Sequence, residues 1–181
     1  MSFPKVLQRT TLSKTRIFTV QDSLVQFSNG REQHFETISG RSPGAVMILA
    51  MPDTETFLLI REYAAARGGY FIGFPKGAMD DDEDPLVAAN RELMEEVGMG
   101  AHELIHLAQW SLSPAYFEAT MDIVLAKNLY EKKLEGDEPE PLEVIPWQIK
   151  NIDALLAHPE FHESRSVAAA LLLERMNRSL R

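Results

Sequence analysis

The sequence predicts an α/β (α+β) fold, a mixed β-sheet sandwiched by helices. Three observations predict it. Strand-like segments come first, then one well-marked helix, then more strands, then terminal helices. Residues 85–97 carry a complete set of helix signals. The chain of 181 residues is 45% hydrophobic and 25% charged, ordinary for one soluble globular unit with a good-sized core.

In chain order, residues 16–27 and 32–38 are rich in β-formers. They flank Ser28-Asn29-Gly30, a hairpin signal. Residues 45–49 and 57–60 read as buried strands, and Arg61-Glu62-Tyr63 stands at the end of the second. Arg67-Gly68-Gly69 marks a loop, and residues 70–74 a short strand leading into Pro75-Lys76-Gly77. In the helix at 85–97, Asp84 is the N-cap, Pro85 suits the first turn, and Gly98 suits the left-handed position past the end. Leu86, Ala89, Leu93 and Val97 fall on one face. Residues 104–109 and 121–126 read as further strands, 128–142 as a polar loop, and 144–147 as a last strand. Helices are expected at about 149–157 and 164–178, separated by His158-Pro159. No internal repeat or low-complexity segment stands out.

The net charge of −9 is unevenly spread. Residues 77–99 carry eight acids and one base, and residues 131–143 six acids and two lysines. The rest of the chain is slightly basic. Such concentration repels a diphosphate unless divalent cations intervene, and it excludes the basic stripe of a nucleic-acid groove. There are no cysteines, which rules out disulfides and thiolate metal sites and fits a reducing, cytoplasmic setting. MSFPKVLQRT lacks the apolar core of a signal peptide, and the longest apolar run, residues 45–51, is too short to cross a bilayer.

The chemistry concentrates in GAMDDDEDPLVAANRELMEEVGM, residues 77–99. Glu92, Glu95 and Glu96 sit at i, i+3 and i+4 on a polar face beside the apolar one. Like charges at that spacing repel, so a bound cation is the natural reason for them. Glu83 precedes the cap, and a loop can fold it back toward the same ions. Arg91 is read as lying outside the acidic cluster, placed to pair with Glu83 or another carboxylate. Carboxylates without cysteine or nearby histidine select a hard cation, Mg²⁺ or Mn²⁺.

Gly77, Glu83, Arg91-Glu92, Glu95-Glu96 and Gly98 resemble the signature Gly-x5-Glu-x7-Arg-Glu-U-x-Glu-Glu-x-Gly-U of the Nudix hydrolases, where U is a bulky aliphatic. Met99 stands where the family usually has Ile, Leu or Val. Further pieces are similar to the ADP-ribose pyrophosphatase subgroup: residues 27–30, 60–63, 113–117 and 134–142, with Pro114 sixteen residues after Gly98. The resemblance implies an α/β/α sandwich. It also implies a small N-terminal β-region, residues 1–42, used in homodimerisation, and a hydrolase domain over 43–181. It implies metal-dependent cleavage of nucleoside diphosphate derivatives, with ADP-ribose, NADH and diadenosine polyphosphates as candidates and AMP as product. Glu92, Glu95 and Glu96 are then metal ligands, with the Lys76 backbone carbonyl as another; the family more often has a small residue there. The general base is implied to come from a downstream loop, where Glu138 and Glu140 lie. Two-residue spacing in an extended segment points both side chains the same way. Glu138 is taken as base, with Glu140 as accessory ligand; Glu95 and Arg91 join the catalytic set. Arg61 and Glu62 fall where relatives hold terminal substrate groups; Tyr116 and Phe117 are placed to stack on a base, or else to pack, and Pro114 shapes their loop.

Two rivals use the same chain. His102-Glu103-Leu104-Ile105-His106 matches H-E-x-x-H, which serves a zinc peptidase when both histidines share one long helix. A non-catalytic ADP-ribose-type sensor is the other, although such proteins tend to lose the carboxylates that this chain keeps.

Overall fold

The computed structural model describes residues 3–179. The outermost residues of the two expected domains, 1–2 and 180–181, lie outside the described residues. Strands β1 (Lys5–Lys14), β2 (Phe18–Gln26) and β3 (Glu32–Gly40) form an antiparallel meander. The turn at Ser28-Asn29-Gly30 closes the second hairpin, with Gly30 in the left-handed region at φ 80°. β1 is absent from the expected list because its residues, KVLQRTTLSK, alternate too weakly; it is exposed along its whole length.

The centre of the molecule is β4 (Ala45–Ala50), flanked by β9 (Phe117–Glu131) and β7 (Lys76–Ala78). β4 runs parallel to β9 and antiparallel to β7. Its continuous apolar sequence AVMILA is explained by burial on both faces. Met47 and Leu49 point into one core with Phe57, Leu59, Met121 and Ile123. Val46, Ile48 and Ala50 point into the other, against Ala88, Ala89 and Leu93 of the helix.

β5 (Thr56–Ala64), β6 (Gly69–Gly73) and β10 (Glu143–Gln148) form a separate antiparallel sheet. It covers the first core together with α2 (Ile152–Leu156) and α3 (Ser164–Ser179). α1 (Pro85–Glu92) covers the other side. Helices therefore lie on both sides of a mixed sheet, as expected.

The differences from expectation are of extent. β8 (Met99–Ser113) and β9 are long paired strands, whereas only their middles, 104–109 and 121–126, are apolar enough to read. β9 continues to Glu131, into the segment expected to be loop. The 149–157 helix divides into a 3₁₀ turn, Ile149–Asn151, and α2. Beyond α1 the helix widens into a π turn, Leu93–Val97, which ends at Gly98 with φ 76°. Such widened turns recur at functional sites. Among the described residues no helix is long and apolar enough to cross a membrane.

Candidate active site

α1 starts where the sequence says: the Asp84 carboxylate accepts from the Leu86 N–H at 2.8 Å, and Pro85 fills the first turn. Asn90 accepts from the Ala101 N–H at 2.8 Å and fixes the helix to β8. The helix thereby lays Glu92, Glu95 and Glu96 beside β7.

Glu92 is almost fully buried, and its carboxylate lies directly over the Gly77 backbone; a Cβ at residue 77 would overlap it. That is the physical need for glycine there. Glu96 accepts from the Lys76 N–H at 2.9 Å. Burial raises the carboxyls of both residues, Glu96 up to about 8.

Arg91 is not outside the cluster but inside it. Its Nε and Nη2 donate to the two Glu83 oxygens at 3.1 and 2.9 Å. Its Nη1 donates to Glu92 at 2.7 Å and Glu95 at 3.2 Å, and Nη2 also reaches the Ala78 carbonyl at 3.0 Å. A guanidinium carries five donors in a fixed fork, and here the fork engages three carboxylates and the Ala78 carbonyl. Glu83 is held below the usual carboxylate range chiefly by Arg91, and it also accepts from the Asp80 N–H at 3.0 Å. The expected fold-back of Glu83 is present.

The segment after β9 crosses this face. Leu134 N–H donates to the Met94 carbonyl at 3.1 Å, and Gly136 passes beside the Glu95 side chain. Asp137 and Glu138 then bring further negative charge, Asp137 toward Glu92 and Glu138 toward Glu96 and Lys76. Glu138 and Glu140 face different groups, with a backbone bend at residues 139–140. Glu140 instead accepts from the Tyr70 hydroxyl at 2.6 Å.

Lys76 combines two roles that sequence reasoning missed. Its ammonium pairs with Glu62, while its N–H holds Glu96. Burial first, and then the neighbouring Arg165, pulls the ammonium below its ordinary value. The only signal was a lysine where a small residue is usual. Arg61 makes a bidentate pair with Glu160 at 2.9 and 2.8 Å and lies 4.5 Å over the Tyr70 ring. Pro114 and Tyr116 occupy the β8–β9 turn. Tyr116 is exposed, and its carbonyl accepts from Ile38 N–H at 2.7 Å. Phe117 packs edge-on against Phe18, 6.4 Å between centroids.

His102, Glu103 and His106 lie in β8, a strand. Residues four apart in a strand are separated by roughly 13 Å, too far for one zinc ion. His102 packs on Tyr130, and His106 bonds the buried Asp122 at 2.6 Å. The peptidase reading fails on this geometry.

The donor set suits a hard divalent ion: carboxylate oxygens, partly buried, with burial making them seek positive charge. Among the described residues no three acidic or histidine side chains are already gathered as a metal cage, since Arg91 claims Glu83, Glu92 and Glu95.

Comparison with known proteins agrees with this architecture. The NUDIX domain matches residues 40–171, and the NudE-type Nudix hydrolase N-terminal domain matches residues 4–36. The chain belongs to the Nudix hydrolase family, as a pyrophosphatase acting on phosphorus-containing acid anhydrides. It is 43% identical to the ADP compounds hydrolase NudE of Escherichia coli (strain K12), over 94% of this chain and 91% of that one. It is 27% identical to the ADP-ribose pyrophosphatase of Bacillus subtilis (strain 168), over 94% and 95%. A crystal structure of an ADP compounds hydrolase superposes with a TM-score of 0.90 at 41% identity, covering 99% of this chain and 97% of that one. Nudix hydrolases generally use divalent metal ions.

Proposed function

We propose that the enzyme hydrolyses the pyrophosphate link of ADP-containing nucleoside diphosphate derivatives, ADP-ribose, NADH and diadenosine polyphosphates among them, and releases AMP. The observation that carries this reading is the packing of Glu92, Glu95 and Glu96 between Gly77, Lys76 and Arg91, beneath the segment bearing Glu138. The named substrates of similar enzymes, ADP compounds and ADP-ribose, point to the same class.

Glu92, Glu95 and Glu96 would hold Mg²⁺ or Mn²⁺, with the Lys76 carbonyl as a further oxygen. Bound there, such ions would neutralise the diphosphate and lower the pKa of a water. Arg91 orients the carboxylates through its fork. The Lys76 N–H fixes Glu96, and the Glu62 pair fixes the Lys76 side chain. Glu138 takes the proton of the attacking water as a bridging P–O bond breaks, leaving AMP and a phosphorylated partner group. Glu140 fastens the segment carrying Glu138 through Tyr70, in place of the ligand role expected for it. Arg61, Tyr116 and Pro114 would meet the substrate's terminal groups. Residues 1–42 form a dimerisation region and 43–181 the hydrolase proper; the exposed apolar residues of β1, Val6, Leu7 and Leu12, support this. The setting is a cytoplasm.

A panel of nucleoside diphosphate derivatives with Mg²⁺ or Mn²⁺, scored by product identity, tests the reading. AMP is expected. Failure to release AMP from any adenylated substrate overturns it. The sensor alternative predicts binding without product.

A further inference from the structure

A cavity of about 570 Å³ opens between the β5–β6 turn and the start of α3. Arg67, Phe71, His162 and Arg165 line it together with Glu163, whose carboxylate is engaged by Arg165. Arg67 and His162 are exposed, and among the described residues neither side chain has a partner. Arg165 donates through Nε to Glu163 at 2.5 Å, and among the described residues no hydrogen bond occupies the rest of its fork. The helix end itself is already satisfied: Glu163 accepts from the Arg165 and Ser166 N–H groups at 3.2 and 2.8 Å. The free cationic capacity is therefore in the side chains.

This wall is contiguous with the carboxylate cluster. The Phe71 ring that lines the cavity carries the Lys76 ammonium 5.1 Å from its centroid, and the Lys76 N–H holds Glu96. α3 is seated rigidly against the same segment. The Phe74 N–H donates to the fully buried Ser166 hydroxyl at 3.3 Å, and a Cβ at Gly73 would press on that hydroxyl. A cationic pocket thus faces the acidic centre across Lys76, in a chain whose net charge is −9. The unpartnered Arg67 guanidinium and the unused donors of Arg165 match an anionic ligand group.

We propose that Arg67, His162 and Arg165 form an anion subsite that takes a phosphate of the departing half of the substrate, one beyond the two joined by the cleaved bond. The proposal rests on the pyrophosphatase reading and adds a selectivity to it: polyphosphate bridges are preferred over plain diphosphates.

Diadenosine diphosphate and diadenosine triphosphate differ by one phosphate and both yield AMP. The readout is the ratio of kcat/KM for the triphosphate to that for the diphosphate, with the full chain. Arg67→Ala is expected to lower this ratio by about tenfold, the loss of one charge-assisted hydrogen bond. Arg67→Glu is expected to lower it further. Unchanged thermal unfolding of both variants is expected, since Arg67 has no side-chain partner to lose. A ratio within about twofold of the parent protein in both variants overturns the subsite while leaving the pyrophosphatase reading intact. A parent protein that releases AMP from neither compound overturns both.

Discussion

Gly77 and Glu92 are chemically one feature, because the carboxylate rests where a side chain would otherwise be. Gly77→Ala is expected to push Glu92 away and to cost about 10–100-fold in kcat, the usual cost of disturbing ligand orientation. Steady-state kinetics at saturating Mg²⁺ reads it. Glu138→Gln is expected to abolish most turnover while metal binding, followed by calorimetry, survives; parent-like rates would reject Glu138 as base. Burial sets the pH behaviour. Glu96 is lifted to about 8 from an ordinary value of 4.5, and Glu92 is lifted in the same sense. The Glu96 contribution to stability is complete below about pH 4.5 and is lost as pH rises through about 8, and Glu92 adds to it in the same direction. In metal-free protein the urea midpoint should therefore fall between about pH 5 and 8. Added Mg²⁺ should flatten that slope and release protons on binding. A midpoint that rises across this range would contradict the buried-carboxylate account. Glu83 has the opposite sign: Arg91 lowers it, so its contribution disappears only in acid.

At the scale of elements, α1 carries the ligands but is short, with eight residues before the π turn. Its stability comes from packing, the Asp84 cap and the Asn90 tie to β8. Asp84→Ala is expected to cost about 1 kcal/mol of unfolding free energy in urea titration. Arg91 has a larger role than a helix residue normally has, since it joins the 78–83 loop to α1 and to the π turn. Most of this element was legible: the cap, the proline, Gly98 and the apolar face are local signals. The π widening was not, because nothing in ELMEEV distinguishes i→i+5 from i→i+4 bonding. The placement of Arg91 was misread for a related reason. Helical spacing says which backbone face a residue occupies, while a long guanidinium stem goes where the carboxylates are.

For the whole molecule, the sheet formed by β4 and β9 is the scaffold that both cores share. Leu59, fully buried in the core beneath α2 and α3, should cost about 2–5 kcal/mol when replaced by alanine. Its kcat should stay near the parent value under conditions where the variant remains folded, because Leu59 packs on the opposite side of the sheet from α1. The β1–β3 meander meets the body at the parallel bridge Ile38↔Phe117, beside the Phe18–Phe117 ring contact, and it leaves β1 as an exposed edge. If this region dimerises the enzyme, a Val6→Glu, Leu12→Glu double variant should sediment as a monomer where the parent sediments as a dimer.

The sequence by itself determined the reaction class and the carboxylates that serve it. A helix start, a helix end and the offsets between charged residues are local and survive in one dimension. It also determined the doubly buried β4, because an unbroken apolar run has few other uses. Tertiary structure alone decided what faces those carboxylates. Lys76, the 134–138 segment and the cationic wall at α3 come from separate stretches of chain, and their approach follows from how two sheets pack. Chain folding also gave Glu138 and Glu140 different neighbours, around a bend that no spacing rule contains, and turned an H-E-x-x-H string into an ordinary strand. Short-range geometry is written in neighbouring residues; long-range proximity is the outcome of burying two cores at once.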